Sequence, residues 1–247
     1  MSSNLFSVDP LQLYMGYDYT INDKIHIKQP IMRDITNMGE RDYFSMVHTL
    51  TANPTDLKAR LWDIGIDWNQ IDDFDLFLML AGTLKREQTE ILLGDLNLSN
   101  MKPYRSRENG DVVLADIESG VIIDKLIYQR IVNYIRKMHN ITPVVKHAKN
   151  EHTKKAMIEY DKQQIAINEK KEYSSFLVPV ISTLQCKMGW TKDYILNMGI
   201  VEYNEIVARM QLISNADHLL SGVYAGTVDM KKLDKKELNY MRPINDK

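Results

Sequence analysis

The sequence predicts an α+β protein that is mainly α-helical, with small N-terminal β-hairpins, a helical body and a C-terminal helical module. Three observations carry this reading. Short β-branched alternations flank turn residues at 19–27 and 111–123. Most of the remaining chain repeats apolar residues at helical spacing. A charged segment at 146–172 separates two such helical regions. With 247 residues, 44% hydrophobic and 26% charged, the chain can bury a sizeable core without disulfides, and a collagen-like or wholly disordered chain is excluded.

The segment up to Pro10 lacks periodicity and reads as a flexible or docking arm. Tyr19-Thr20-Ile21 and Lys24-Ile25-His26-Ile27 then flank Asn22-Asp23, residue types that tolerate the positive φ of two-residue hairpin turns. Pro30 ends that strand. Tyr43, Phe44, Met46, Val47 and Leu50 predict a helix from Gly39 to Leu50. Pro54 stops it, and Thr55-Asp56 open a second helix that Gly65 caps. Asp72-Asp73 start a third, since early acidic residues suit the positive end of a helix dipole. Thr89 to Leu96 is apolar and fits helix or strand. Val112-Val113-Leu114 and Val121-Ile122-Ile123 around Ser119-Gly120 predict a second hairpin. A long amphipathic helix follows, carrying Leu126, Ile127, Ile131, Tyr134, Ile135 and Met138, and Thr142-Pro143 closes the region.

Residues 146–172 hold seven lysines and five acidic residues and read as a solvated helix or helical linker. Beyond Tyr173 the pattern is helical over 174–188, 191–198, 201–214, 216–225 and 234–241. The expected modules are therefore 1–145, 146–172 and 173–247. Their net charges are -5, +2 and +1. That distribution, within an overall -2, fits a protein-binding protein better than a nucleic-acid binder. No apolar run is long enough to span a membrane, and Met1-Ser2-Ser3-Asn4 lacks the marks of a secretory signal. Cys186 is the sole cysteine; it suits a reducing cytoplasm and is expected to be small, buried and inert.

Searching for chemistry gives a mostly negative result. The sequence has no Gly-rich phosphate loop, nucleophile elbow, H-E-x-x-H or paired C-x-x-C. No catalytic residue, cofactor or metal site is expected, and the chain reads as a non-enzyme. His139, His147 and His152 lie close in sequence but read as surface or core-edge histidines. Asp67 to Asp75 fails as a calcium loop, because Ile71 replaces an oxygen ligand and Asp72 the required glycine. It reads instead as a helix cap with a solvated acidic face, or as a dock for a basic partner. Lys231 to Arg242 is a solvated terminal helix or a phosphate-contacting segment. Fourteen methionines and 13 tyrosines suit core packing, and also an adaptable groove for a partner helix.

Several stretches together resemble a family from tailed phages and prophages, the tail assembly chaperones. They are Tyr19-Thr20-Ile21-Asn22-Asp23-Lys24-Ile25, Gly39-Glu40-Arg41-Asp42-Tyr43-Phe44, Gly65-Ile66-Asp67-Trp68 and Asp72-Asp73-Phe74-Asp75-Leu76-Phe77. Tyr203-Asn204-Glu205 and Tyr224-Ala225-Gly226 continue the likeness. The resemblance is diffuse, and its motifs are structural. It implies an assembly factor in the bacterial host cytoplasm that keeps the tape measure protein soluble while tube subunits are recruited. The chain is long for the short form of the family and is similar to the long form. Under this reading Tyr203, Ile206, Met210 and Ile213 form the partner-binding stripe, or else the module's own core. Two alternatives stand beside it: a structural tail or baseplate component, and a phage nucleic-acid-binding factor. A homo-oligomer is left open.

Overall fold

The computed structural model describes residues 8–106 and 110–244. It is 56% helical with two small antiparallel sheets, the α+β, mainly α class that the sequence predicts. The sequence-based reading of the first seven residues as an arm lies outside the described residues.

The body opens with a short helix, α1 (Pro10–Tyr14), capped by Asp9. The first hairpin pairs β1 (Tyr19–Asn22) with β2 (Ile25–Ile27). Its turn differs from expectation. Neither Asn22 nor Asp23 takes a positive φ; the Asn22 side chain instead accepts from the N–H groups of Lys24 (2.9 Å) and Ile25 (2.9 Å). An Asx turn thus does the work assigned to a left-handed backbone. Four helices follow: α2 (Met32–Met38), α3 (Glu40–Thr51), α4 (Lys58–Asp63) and α5 (Asp73–Leu80). Asp72 caps α5 by accepting from Phe74 and Asp75 N–H groups, each at 2.9 Å, which places the acidic stretch at a helix start. The ambiguous 89–96 stretch is largely helix, α6 (Arg86–Leu93). A three-stranded sheet then runs β3 (Lys102–Arg105), β4 (Val112–Asp116) and β5 (Val121–Ile123) in sheet order. Its strand β3 is exposed throughout, so it carries no inside-outside alternation to read.

Helix α7 (Lys125–Met138) is the hub, touching α3, α5 and strands of both sheets. Asp124 caps its start, accepting from Ile127 N–H at 2.7 Å. Its end is a Schellman turn: Asn140 sits at φ +54°, and Ile141 N–H reaches the Arg136 carbonyl at 2.8 Å. Tyr134 stacks on Tyr19 with centroids 4.6 Å apart, and Arg130 lies over the other ring at 5.4 Å. These contacts seat the first hairpin on α7.

The charged segment forms α8 (Glu151–Glu169), packed on α4. Three ion pairs tie it down: Lys58–Asp161 at 2.7 Å, Lys154–Asp67 at 2.8 Å, and Lys162–Asp63. Ile158 is buried beneath them. Its positive surplus thus meets the acidic N-terminal region. The C-terminal helices are α9 (Leu177–Met188), α10 (Lys192–Leu196), α11 (Ile200–Tyr224) and α12 (Lys235–Leu238). The periodicity predicts a break near residue 215, whereas α11 is continuous. Asn215 is exposed on it and Ala216 beside it is buried, so neither position stops the helix.

These helices share the main core with the body. Leu177, Leu184, Ile195, Met198, Ile200 and Tyr203 join the cluster that contains Tyr43, Leu92 and Ile135. Backbone bonds from Met32 to Met198 (2.9 Å) and from Ile200 to Pro30 (3.0 Å) stitch the join. Glu40 reinforces it across the chain. Its carboxylate accepts from Ser175 Oγ (2.5 Å) and from the N–H groups of Phe176 (2.9 Å) and Leu177 (3.1 Å), at the start of α9. Burial pushes its pKa up, but these hydrogen bonds and one from Tyr173 prevail and hold it below the ordinary glutamate value. Cys186 is exposed, which corrects the buried cysteine expected from sequence. It lies on the outer side of α9, while Leu184 faces the core.

Candidate functional site

Two concave regions merit attention as binding sites, one apolar and one polar. The apolar groove lies between α9 and α11 and has a volume of about 310 Å³. Pro179, Val180 and Leu184 line one wall, with Val207 and Met210 on the other. Lys187, Gln211 and Ser214 add polar atoms at its surface.

The sequence-predicted stripe divides in space. Tyr203 is 3% exposed and belongs to the core; burial, then the nearby Glu40 charge, pushes its hydroxyl pKa up to about 12. Ile206 packs against the core and lines a separate cavity beside α1. Met210 enters the α9/α11 groove. Ile213 is 38% exposed. Only Met210 lines the groove, with Ile213 exposed one turn further along α11. On the opposite side of α11 the C-terminal segment folds back. Arg209 donates to the Tyr240 and Arg242 carbonyls (2.5 and 2.6 Å) and pairs with Glu205 at 2.8 Å. Gly222 permits this return, because a Cβ there would meet Val228 Cγ2 at 2.7 Å.

The polar cavity, about 560 Å³, lies between the start of α5, one face of α7 and the extended strap 144–148. Side chains hold the strap. Asn53 donates to the Val144 carbonyl (3.4 Å), Thr55 Oγ1 accepts from Lys146 N–H (3.1 Å), and Asn69 accepts from Ala148 N–H (3.2 Å). Strap residues alternate, Val145 and His147 facing this cavity and Val144 and Lys146 a neighbouring one. All four charged side chains on the cavity wall are paired: Lys125 with Asp72 at 2.5 Å and Arg136 with Asp73 at 3.1 Å. Arg136 is also locked by two bonds to the Thr51 carbonyl, at 2.7 and 3.2 Å. Burial pushes the Asp72 pKa up, but hydrogen bonds from Lys125 and from the Asp75 N–H, with the Lys125 charge, outweigh it and hold the carboxyl below the usual range.

Two neutral polar atoms lie within the wall behind this cavity, with almost no accessible surface of their own. Trp68 Nε1 and Tyr128 Oη are buried without a hydrogen-bond partner among the described residues. Burial first, and the negative charge of Asp73 second, push the Tyr128 hydroxyl pKa upward, which keeps it protonated. The half-buried Gln129 and Asn133 also line the cavity, and neither side chain bonds to a described residue. Sequence reading passed over these groups because they lie up to 65 positions apart, from Trp68 to Asn133, and only folding brings them together. The usable signal is Arg136, a charge within an otherwise apolar helical stripe, with Gln129 and Asn133 on the turns before it.

Among the described residues no three His, Cys, Asp or Glu side chains are placed to hold a metal ion. His139 is half-buried and paired, its Nδ1–H donating to the Ile135 carbonyl (2.8 Å) and its Nε2 accepting from Tyr43 Oη (2.6 Å). No described helix is long and apolar enough to cross a membrane. Comparisons of the chain with family models, with curated proteins and with solved structures give no match.

Proposed function

We propose that this chain is a non-enzymatic phage tail assembly factor of the chaperone type, acting in the bacterial host cytoplasm. The α9/α11 groove would take one apolar face of a helix from the tape measure protein. The observation that supports this reading most is the groove itself. It is shallow, apolar and edged by Met210, a side chain that adapts to irregular surfaces. Reversible cover of a client stripe needs such adaptable contacts rather than a rigid pocket. The sequence resemblance to tail assembly chaperones supplies the nature of the client.

Co-expression of the full chain with the tape measure protein tests the proposal. The wild-type chain should keep the tape measure protein in the soluble fraction and co-purify with it. Ile213→Asp, at an exposed position, and Met210→Asp, in the groove, should abolish both effects while circular dichroism stays unchanged for Ile213→Asp. A tape measure protein that aggregates equally with and without the wild-type chain would sink the reading. Stoichiometric recovery of the chain in finished virions would replace it with a structural tail or baseplate component.

A further inference from the structure

We propose that the 144–148 strap is a docking strand, whose outer edge takes an extended, acidic segment of a partner protein by strand addition. The strap shares no residue with the α9/α11 groove, so the inference stands apart from the assembly role.

The strap is hydrogen-bonded along one edge only. The Asn53 amide donates to the Val144 carbonyl (3.4 Å). Thr55 Oγ1 accepts from the Lys146 N–H (3.1 Å) and donates to the Lys146 carbonyl (3.3 Å). The Asn69 amide accepts from the Ala148 N–H and donates to the Ala148 carbonyl, each at 3.2 Å. These partners recur at every second residue, which is the repeat of a β-ladder. Three side chains thus stand where a neighbouring strand would. Backbone groups of successive residues in a strand point to opposite edges, so Val145 and His147 present theirs outward. Neither the N–H nor the C=O of Val145 or His147 has a partner among the described residues. Residues 142–147 are all exposed. An unpaired, exposed edge is a template for one more strand.

Side chains of an added strand alternate between two faces, and here each face has a receptacle. Val145 and His147 border the cavity of about 560 Å³, while Val144 and Lys146 border a neighbouring one of about 630 Å³. A face of α8 with Ala156, Met157 and Tyr160 forms another wall of the second cavity. Main-chain bonds along an edge, with receptacles for alternate side chains, combine affinity with specificity.

Charge selects the occupant. The first cavity has Lys125 matched with Asp72 and Arg136 with Asp73, so it suits uncharged side chains. In the second, Lys58 pairs with Asp161, and Asp56 accepts from the Asn53 N–H at 3.0 Å. Lys146 there, and Lys149 further along the chain, have no side-chain partner among the described residues. No acidic residue lies between Asp124 and Glu151. A segment with an acidic side chain at every second position complements that edge. A second copy of this chain does not, because pairing strap with strap brings like charges together.

Fluorescence polarisation of the full-length protein with a labelled hexapeptide alternating valine and aspartate tests this. Binding should saturate below millimolar concentration and weaken as sodium chloride is added. In NMR spectra the peptide should slow amide exchange at Val145 and His147, and leave Lys146 and Ala148, whose N–H groups are already bonded, unchanged. Two further peptides carry N-methyl groups, one on every valine nitrogen and the other on every aspartate nitrogen. One of them should lose binding and the other keep it, because only alternate N–H groups face the strap. Val145→Pro removes an outward N–H from a segment that is already extended, and should weaken binding about tenfold with an unchanged circular dichroism spectrum. Lys146→Ala should weaken it several-fold. Absence of saturable binding to the wild-type chain up to millimolar concentration would overturn the proposal. So would equal affinity for the two methylated peptides, or tighter binding of a peptide alternating valine and lysine. Dimerisation that protects the same two amides would also overturn it and assign the edge to a second copy. These four outcomes are read on the wild-type chain, whatever the variants do to the fold.

Discussion

Helices α7 and α11 are both rich in apolar residues, yet they are used in opposite ways. Seven of the 14 residues of α7 are buried, against three of the 25 in α11. Elements pack around α7 on several sides, and an interior surrounded in this way gains the full free energy of burial. The first turn of α11 enters the same core through Ile200 and Tyr203, Ile206, Val207 and Met210 pack against its edge half-buried, and the rest runs on beside the returning C-terminal segment. Apolar content therefore does not locate a core; the number of elements packed on a face does. A half-covered apolar helix is available to a partner in a way that α7 is not.

Substitutions in the two helices should break symmetry first. Ile135→Ala, at a fully buried position of α7, is expected to cost about 3 kcal/mol in urea unfolding. Met210→Ala in the groove should cost about 1 kcal/mol, because the site is partly solvated and can relax. Equal losses would mean that α11 is as tightly packed as α7.

Acid should act on the body next. Burial lowers the His139 pKa to about 4, with the Ile135 hydrogen bond opposing, from an ordinary value of 6.5. The unfolded chain therefore binds the proton more readily than the folded one. This contribution to stability is fully present above pH 6.5 and is lost as the pH falls from 6.5 towards 4. The expected slope is about 1.4 kcal/mol per pH unit in that window. His139→Gln should flatten the slope in unfolding curves taken between pH 7 and 4.5, even if it lowers stability throughout.

The join between the two regions comes third. Glu40→Ala removes the carboxylate that holds the start of α9 and should cost about 1 kcal/mol. Hydrogen exchange should rise at residues 175–180 before it rises in α7. Arg209→Ala should loosen the returning C-terminal segment, seen as faster exchange over residues 227–242 with little change in the body. Lys162→Ala, breaking an exposed pair with Asp63, should change stability by less than about 0.5 kcal/mol.

The local elements were legible where sequence signals are local. Asp72 at a helix start, the β4–β5 hairpin around Ser119-Gly120 and the apolar stripe of α7 each follow from neighbours within a few residues. The polar cavity was not, because Asn53, Trp68, Asp73 and Arg136 become neighbours only through long-range packing. The stripe Tyr203, Ile206, Met210 and Ile213 was legible as a helix face, and its division among core, groove and solvent was not. Likewise the charges of 146–172 announced a helix, while the surface it lies on was set by Lys58, Asp63 and Asp67, about 90 to 100 positions earlier.

By itself, then, the sequence determined the α+β, mainly helical class, the helix start at Asp72 and the two hairpin cores. All of these depend on side chains acting within one or two turns of backbone. Tertiary structure decided that α8 docks on α4, that α9 starts on Glu40, that Cys186 faces solvent, and that Trp68 and Tyr128 are buried with their polar atoms unpaired. Those outcomes depend on which surfaces meet, and a periodic pattern specifies the presence of an apolar face without specifying what covers it.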